Sequence, residues 1–210
     1  MKEEPVLFGK GHARLEGLFA SSGGTRGAVI AHPHSLMGGD MRNPVVETVS
    51  RSLFASGIST LRFNFRGVGR SEGTFDEGRG EQEDFLAALA FLENWGFSEL
   101  LPAGYSFGAW VIAGALGRRT TAPAILVAPP IGMFPFALEH LRGRVGLIVC
   151  GDRDPYCPAE EIRIMAETLS CPQASVEGAD HFFALHETEL AGRIEAFVQT
   201  AHPSLRGDGG

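Results

Sequence analysis

The feature that most constrains this chain is a series of short apolar runs, at residues 28–31, 59–65, 100–104, 124–128 and 145–150, interleaved with segments of helical periodicity. Each run is too short for a helix and is bounded by turn residues, so each reads as a strand. Strands that are apolar on both faces, with helices between them, form a mostly parallel sheet covered on its two sides, an α/β architecture. The helical segments are well punctuated. Asn43 is placed as an N-cap, Pro44 as the first helical residue and Gly57 beyond the end, with Val46, Val49 and Leu53 sharing one face. Further helices are expected over 81–95, 107–116, 158–169 and 187–199. A hairpin is expected from strands at 6–8 and 13–20 around Gly9-Lys10-Gly11, and a weak strand at 173–176.

No repeat and no linker divides the chain, so residues 1–202 are expected to form one domain and 203–210 a loose tail. Two uncharged stretches, 100–117 and 120–138, approach the length of a membrane span. They are interrupted by Pro102, Pro123, Pro129, Pro130, Pro135 and several glycines, which disfavours a spanning helix. The net charge of −7, without blocks of like charge, disfavours nucleic acid and anionic membranes as partners. Three cysteines make no disulfide framework, and the opening Met1-Lys2-Glu3-Glu4-Pro5 does not read as a secretory signal. Both features suit the cytoplasm.

In an open parallel sheet, sites form at the carboxyl ends of the strands. Gly104-Tyr105-Ser106-Phe107-Gly108 is a G-x-S-x-G turn between an expected strand and an expected helix, the context that motif requires. So sharp a turn lifts the Ser106 hydroxyl out at the strand end, but a hydroxyl is a poor nucleophile without a base beside it. Seven histidines compete: 12, 32, 34, 140, 181, 186 and 202. His181 lies in the loop after the last weak strand and is preferred, while His186 reads as a surface or capping residue. A third group must orient the imidazole. Asp152 and Asp154 both follow the run ending at residue 150; Asp152 suits a turn cap or a pair with Arg153. Asp154, further into the loop and before Pro155, is better placed to reach across. Asp180 adjoins His181 and is expected to point away. The order Ser106, Asp154, His181 is that of the α/β-hydrolase arrangement.

Four segments together resemble the α/β-hydrolases, and specifically compact bacterial serine hydrolases of about this size. They are the run from His32-Pro33-His34-Ser35 to Asp40, the stretch Phe63-Asn64-Phe65-Arg66-Gly67-Val68-Gly69-Arg70-Ser71, the Ser106 elbow, and residues 151–158 with Asp180-His181. The resemblance covers roughly residues 6–201 and implies an α/β-hydrolase fold without a large cap domain. It implies Asp154 as the acid and an oxyanion hole made by the amide of Phe107 and one from the first of these segments. That segment commonly reads His-Gly-x. Here Pro33 stands for the glycine and has no N–H, so His34 is expected to supply the second amide, with Ser35 the alternative.

The implied function is a serine hydrolase acting on small carboxylic esters or thioesters, with no cofactor and a small acyl substrate as its partner. A peptidase or acyltransferase would use the same residues, and a non-catalytic binding or scaffold protein is the alternative of another class. Only residues 129–144 separate two strands where many relatives insert a lid, so the site is expected to be open or partly covered. Ser35, Tyr105, Met133 and Phe134 are expected to contact substrate. A catalytic His181 gives a rate that falls below about pH 6–7. His32, His34 and Asp40 lack further ligands at workable spacing, so no metal is expected, and His32 is placed under the oxyanion loop. Gly67 to Ser71 lacks the Lys-Ser/Thr end of a phosphate cradle and reads as a turn. Cys157 reads as a small buried hydrophobe.

Overall fold

In the computed structural model, which describes residues 1–9 and 14–201, the short apolar runs form the centre of an eight-stranded sheet. The strands are β1 (Glu4–Phe8), β2 (Leu15–Ala20), β3 (Arg26–Ala31), β4 (Ser59–Phe63), β5 (Glu99–Tyr105), β6 (Ala124–Val127), β7 (Val145–Gly151) and β8 (Gln173–Val176). Their spatial order is β1-β2-β4-β3-β5-β6-β7-β8. From β4 to β8 all neighbours are parallel, whereas β2 runs antiparallel to both β1 and β4. The helices are α1 (Pro44–Ala55), α2 (Arg79–Asn94), α3 (Phe107–Ala115), α4 (Ala159–Leu169) and α5 (Glu187–Ala201).

The chain leaves β3 for β4 on one side, then crosses back to β5 on the other. Right-handed crossovers therefore put α1 on one face and α2, α3 and α4 on the opposite face. The terminal helix α5 returns to pack on α1, while α2 packs on α3. This reversal at β3 and β5 makes the gap beyond their carboxyl ends the switch point of the sheet. The central strands are sealed: Ala28, Val29, Ile30, Ile125, Leu126, Val127, Ile148 and Val149 are all fully buried. Asn43 caps α1 as its sequence implies, its side chain accepting the Val45 amide at 2.9 Å, an arrangement worth about 1 kcal/mol.

Element ends differ from expectation for local reasons. The run at 59–65 is strand only to Phe63, because the ladder gives way one residue later. Asn64 N–H still bonds the Glu16 carbonyl of β2 in register, but Phe65 N–H is diverted to His32 Nε2, each at 3.0 Å. Helix α2 begins at Arg79, not at 81, because the buried Glu81 carboxylate reaches back to the amides of Asp76 (2.9 Å) and Gly78 (2.8 Å). The two long uncharged stretches become β5 with α3, and β6 with the loop after it. Among the described residues no helix is long and apolar enough to cross a membrane. The expected tail at 203–210, His202, and residues 10–13 of the hairpin with His12 lie outside the described residues.

Candidate active site at the sheet switch point

Ser106 sits between β5 and α3 with φ 55° and ψ −122°, a left-handed conformation that costs a residue with a Cβ. The two flanking glycines make the turn possible. A Cβ on Gly104 would lie 2.6 Å from the Gly108 carbonyl oxygen, and one on Gly108 would lie 2.5 Å from Ala31 O and 2.6 Å from His32 O. The obstructing atoms are backbone, which cannot swing aside. Glycine thus lets α3 seat directly against the end of β3, and the serine side chain is what remains at the strand terminus.

The structure brings Ser106, His181 and Asp154 together. His181 Nε2 lies 2.9 Å from Ser106 Oγ, and His181 Nδ1 lies 2.7 Å from Asp154 Oδ2. All three residues are buried, and the Asp154 carboxylate is wholly so. Its other oxygen accepts the Tyr156 amide at 2.8 Å, which fixes the carboxylate plane. Burial works against charge on the His181 imidazole. The hydrogen bond that the ring donates to Asp154 and its contact with the Cys157 sulfur, helped by the Asp154 charge, outweigh burial and push the pKa up to about 9. Tyr105 does not simply face substrate: its hydroxyl donates to the His181 carbonyl at 3.0 Å, holding the histidine loop to β5.

The rival residues have other work. Asp152 accepts the Gly178 amide at 2.8 Å and Asp180 accepts the Phe182 amide at 2.9 Å, both as turn caps. His186 stands before α5, where its carbonyl accepts the Leu190 amide and its Nδ1 is buried without a partner, and His140 is exposed beside Glu139. His32 is fully buried with its pKa pushed down to about 4 by burial, and both ring nitrogens are spent. Nδ1 donates to the Pro33 carbonyl at 2.6 Å and Nε2 accepts from Phe65 N–H. It therefore staples the exits of β3 and β4 together beneath the site.

A cavity of about 230 Å³ opens beside Ser106, lined among others by Pro33, His34, Tyr105, Phe107, Met133, Phe134 and His181. The His34 ring packs on Phe107 and Phe75, and Trp110 donates to the Pro135 carbonyl at 2.8 Å, fixing the loop after β6 as one wall. Ser35, expected to contact substrate, does not line the cavity. It opens a 3-10 turn (Ser35–Met37) that carries its hydroxyl into a buried position without a partner. Met37, Asn43, Pro130, Tyr156 and Phe182, which the sequence did not flag, do line it. Each follows the end of a strand, the only signal that could have found them. A larger groove of about 800 Å³ beside Phe8, Leu86 and Phe91 lies away from these residues.

Phe107, the first residue of α3, has no intrahelical acceptor within reach of its amide. The His34 amide likewise donates to no described residue. Both belong to the cavity wall that holds Ser106. Among the described residues, one group could hold a metal: Asp154, Cys157 and His181, whose donor atoms lie within 4.8 Å of one another. All three are already engaged. Asp154 and His181 bond each other, and the Cys157 thiol donates to the Pro129 carbonyl at 3.1 Å. Contact with Cys150 and burial keep that thiol protonated. In the loop from Gly67 to Ser71, the Arg70 amide goes to Glu16 Oε1 (2.7 Å) and the Ser71 amide to the Val68 carbonyl (3.0 Å), as a structural turn.

No family model matches the chain. It is 33% identical over 210 residues to an uncharacterized protein, RP471, of Rickettsia prowazekii (strain Madrid E), covering 93% of this chain and 88% of that protein. Among solved structures, it is 35% identical to an alpha-beta serine hydrolase homologue from Coxiella burnetii, with a TM-score of 0.82 over 93% of this chain and 97% of the other. It is 30% identical to XC6422 from Xanthomonas campestris, described as a serine hydrolase without a lid, with a TM-score of 0.87 over 96% of both chains. Sheet order, helix placement and, among the described residues, the absence of a cap agree with these similarities, and the chain belongs to the α/β-hydrolase family, among its compact members without a lid.

Proposed function

We propose that this hydrolase cleaves small carboxylic esters or thioesters through an acyl-enzyme on Ser106. The observation that carries the reading is the unbroken path Ser106 Oγ to His181 Nε2 (2.9 Å) and His181 Nδ1 to Asp154 Oδ2 (2.7 Å), opening on a cavity with mostly apolar walls. Ser106 Oγ attacks the carbonyl carbon while His181 Nε2 takes its proton. The imidazolium is stabilised by Asp154, which also holds the proton on Nδ1. The tetrahedral oxyanion is met by the amides of Phe107 and His34, donors worth about 3–4 kcal/mol each in a dry site. The bond to the leaving group then breaks, and the leaving group departs with the proton from Nε2. Water, deprotonated by the same nitrogen, attacks the acyl carbon and releases the acid and Ser106.

The cavity volume matches about seven or eight water volumes, which suits a short acyl group. Three free cysteines, two of them buried, support a reducing compartment, so the proposed location is the cytoplasm. The test is hydrolysis of p-nitrophenyl butyrate and butyryl-thiocholine by the wild type, Ser106→Ala and His181→Ala. Turnover that disappears in both variants is expected. Turnover that persists in them, or none in the wild type, defeats the reading, and the latter favours a binding protein.

A further inference from the structure

Two residues in the cavity wall each spend one polar atom on a local cap and keep the other. Asn43 Oδ1 accepts the Val45 amide at the start of α1, at 2.9 Å. A backbone N–H can be met only by the oxygen of the side-chain amide, so Nδ2, a donor, is the atom left over. His34 Nδ1 accepts the Leu36 amide at 3.2 Å at the start of the 3-10 turn. Burial holds the His34 pKa below its ordinary value, so the ring is neutral and its one proton must sit on Nε2, a second donor. Neither Asn43 Nδ2 nor His34 Nε2 has a partner among the described residues, and neither is enclosed. Both residues line the cavity that holds Ser106.

The rest of the wall fixes what such donors can meet. Among the described residues no Asp, Glu, Lys or Arg lines the cavity, and the His181 imidazole that does is already paired with Asp154, so a carboxylate on the substrate would find no free countercharge, and the net charge of −7 disfavours its approach. Of the other side-chain oxygens, Tyr105 OH is committed to the His181 carbonyl, Asn43 Oδ1 to the Val45 amide and Ser106 Oγ to His181 Nε2, and the Tyr156 hydroxyl completes the set. Met37, Met133, Phe134 and Phe182 supply apolar walls for carbon. A purely alkyl substrate would strip water from the two donors and return nothing, and a site that hydrogen-bonds its substrate rejects such an analogue.

Resting on the reading of Ser106 as nucleophile, we propose that the site selects uncharged esters whose acyl group carries a second carbonyl oxygen, and that Asn43 is the side chain that reads it. Two matched pairs test this, ethyl acetoacetate against ethyl butyrate and ethyl levulinate against ethyl valerate. In each pair a ketone replaces a methylene. The readout is the kcat/KM ratio within a pair, corrected for the ratio of alkaline hydrolysis rates. Asn43→Asp keeps an oxygen for the α1 cap while replacing the donor by an acceptor, Asn43→Ser keeps the cap while replacing the side-chain NH2 by a shorter hydroxyl that falls back from the cavity, and thermal melting confirms that each is folded. The wild type is expected to favour the keto ester by about tenfold in at least one pair. Asn43→Ser should bring that ratio to about one, and Asn43→Asp below it. A wild-type ratio near one in both pairs, or a ratio that both variants leave intact, overturns the proposal while ester turnover stands. Absence of Ser106-dependent turnover of all four esters removes the nucleophile reading and this proposal with it.

Discussion

Replacing Asp154 by Asn tests the electrostatics of the site more sharply than deleting the nucleophile. Asp154 Oδ2 lies 2.7 Å from His181 Nδ1 and is the main reason the imidazole pKa is raised to about 9 despite burial. The base works only when neutral, so a raised pKa moves the acid limb of the rate profile upward. At pH 7 an imidazole of pKa about 9 is neutral in about one molecule in a hundred. For the free enzyme, kcat/KM should therefore climb about tenfold per pH unit from 6 to 8 and level off above 9. This lies well above the fall below about pH 6–7 expected of an unperturbed histidine, and the difference is the buried carboxylate. In Asp154→Asn the raising causes from the carboxylate are gone while burial, which lowers, and the Cys157 contact, which raises, remain, so the midpoint should drop well below 9 toward 6.5. The plateau should fall by about four orders of magnitude, because the amide no longer enforces the productive tautomer. The assay is p-nitrophenyl butyrate hydrolysis read at the isosbestic wavelength, with Ser106→Ala as background. A wild-type profile that is flat between pH 6 and 9, or a midpoint that Asp154→Asn leaves unmoved, refutes the reasoning.

Three further expectations follow from the same contacts. In Gly108→Ala the new methyl meets Ala31 O at 2.5 Å and His32 O at 2.6 Å. The expected cost is about 3 kcal/mol, read as a Tm lower by about 6–12 °C, and a Tm within 2 °C of wild type would contradict it. His32 binds a proton at pH about 4 when folded but near 6.5 when unfolded, so its contribution is complete above 6.5 and lost as pH falls toward 4. Urea titrations should therefore show a shallower acid destabilisation in His32→Gln over that window, on a stability lower by about 1–3 kcal/mol. Among p-nitrophenyl esters the cavity of about 230 Å³ should favour acetyl to hexanoyl chains, and an optimum at palmitoyl would show that the rim binds long chains.

The parts of this fold that were legible in the sequence are those set by local chemistry. Asn43-Pro44 marks a helix start whatever surrounds it, and the apolar run at 145–150 is a strand in any context. The elbow was legible because only glycine fits beside a strand end on which a helix is seated, and Gly104 and Gly108 meet backbone within 2.7 Å. What the sequence hid depends on partners distant in the chain. Strand β4 ends just past Phe63 because His32, distant in the chain, captures the Phe65 amide. Ser35 looked like a substrate contact because it follows His34, but the 3-10 turn rotates its hydroxyl into the protein. Asn43 before Pro44 signals a cap, and its presence in the cavity wall needs the loops after β3, β6 and β7 to be folded together. No periodicity records that convergence.

The central claim is that Ser106 is an activated nucleophile. Its most direct test is labelling of the native protein with a fluorophosphonate probe, with the adduct mapped by mass spectrometry. The account predicts stoichiometric label on Ser106 that is absent from Ser106→Ala and much slowed in His181→Ala. A protein that is folded by circular dichroism yet takes no label, or carries it on another residue, would contradict it.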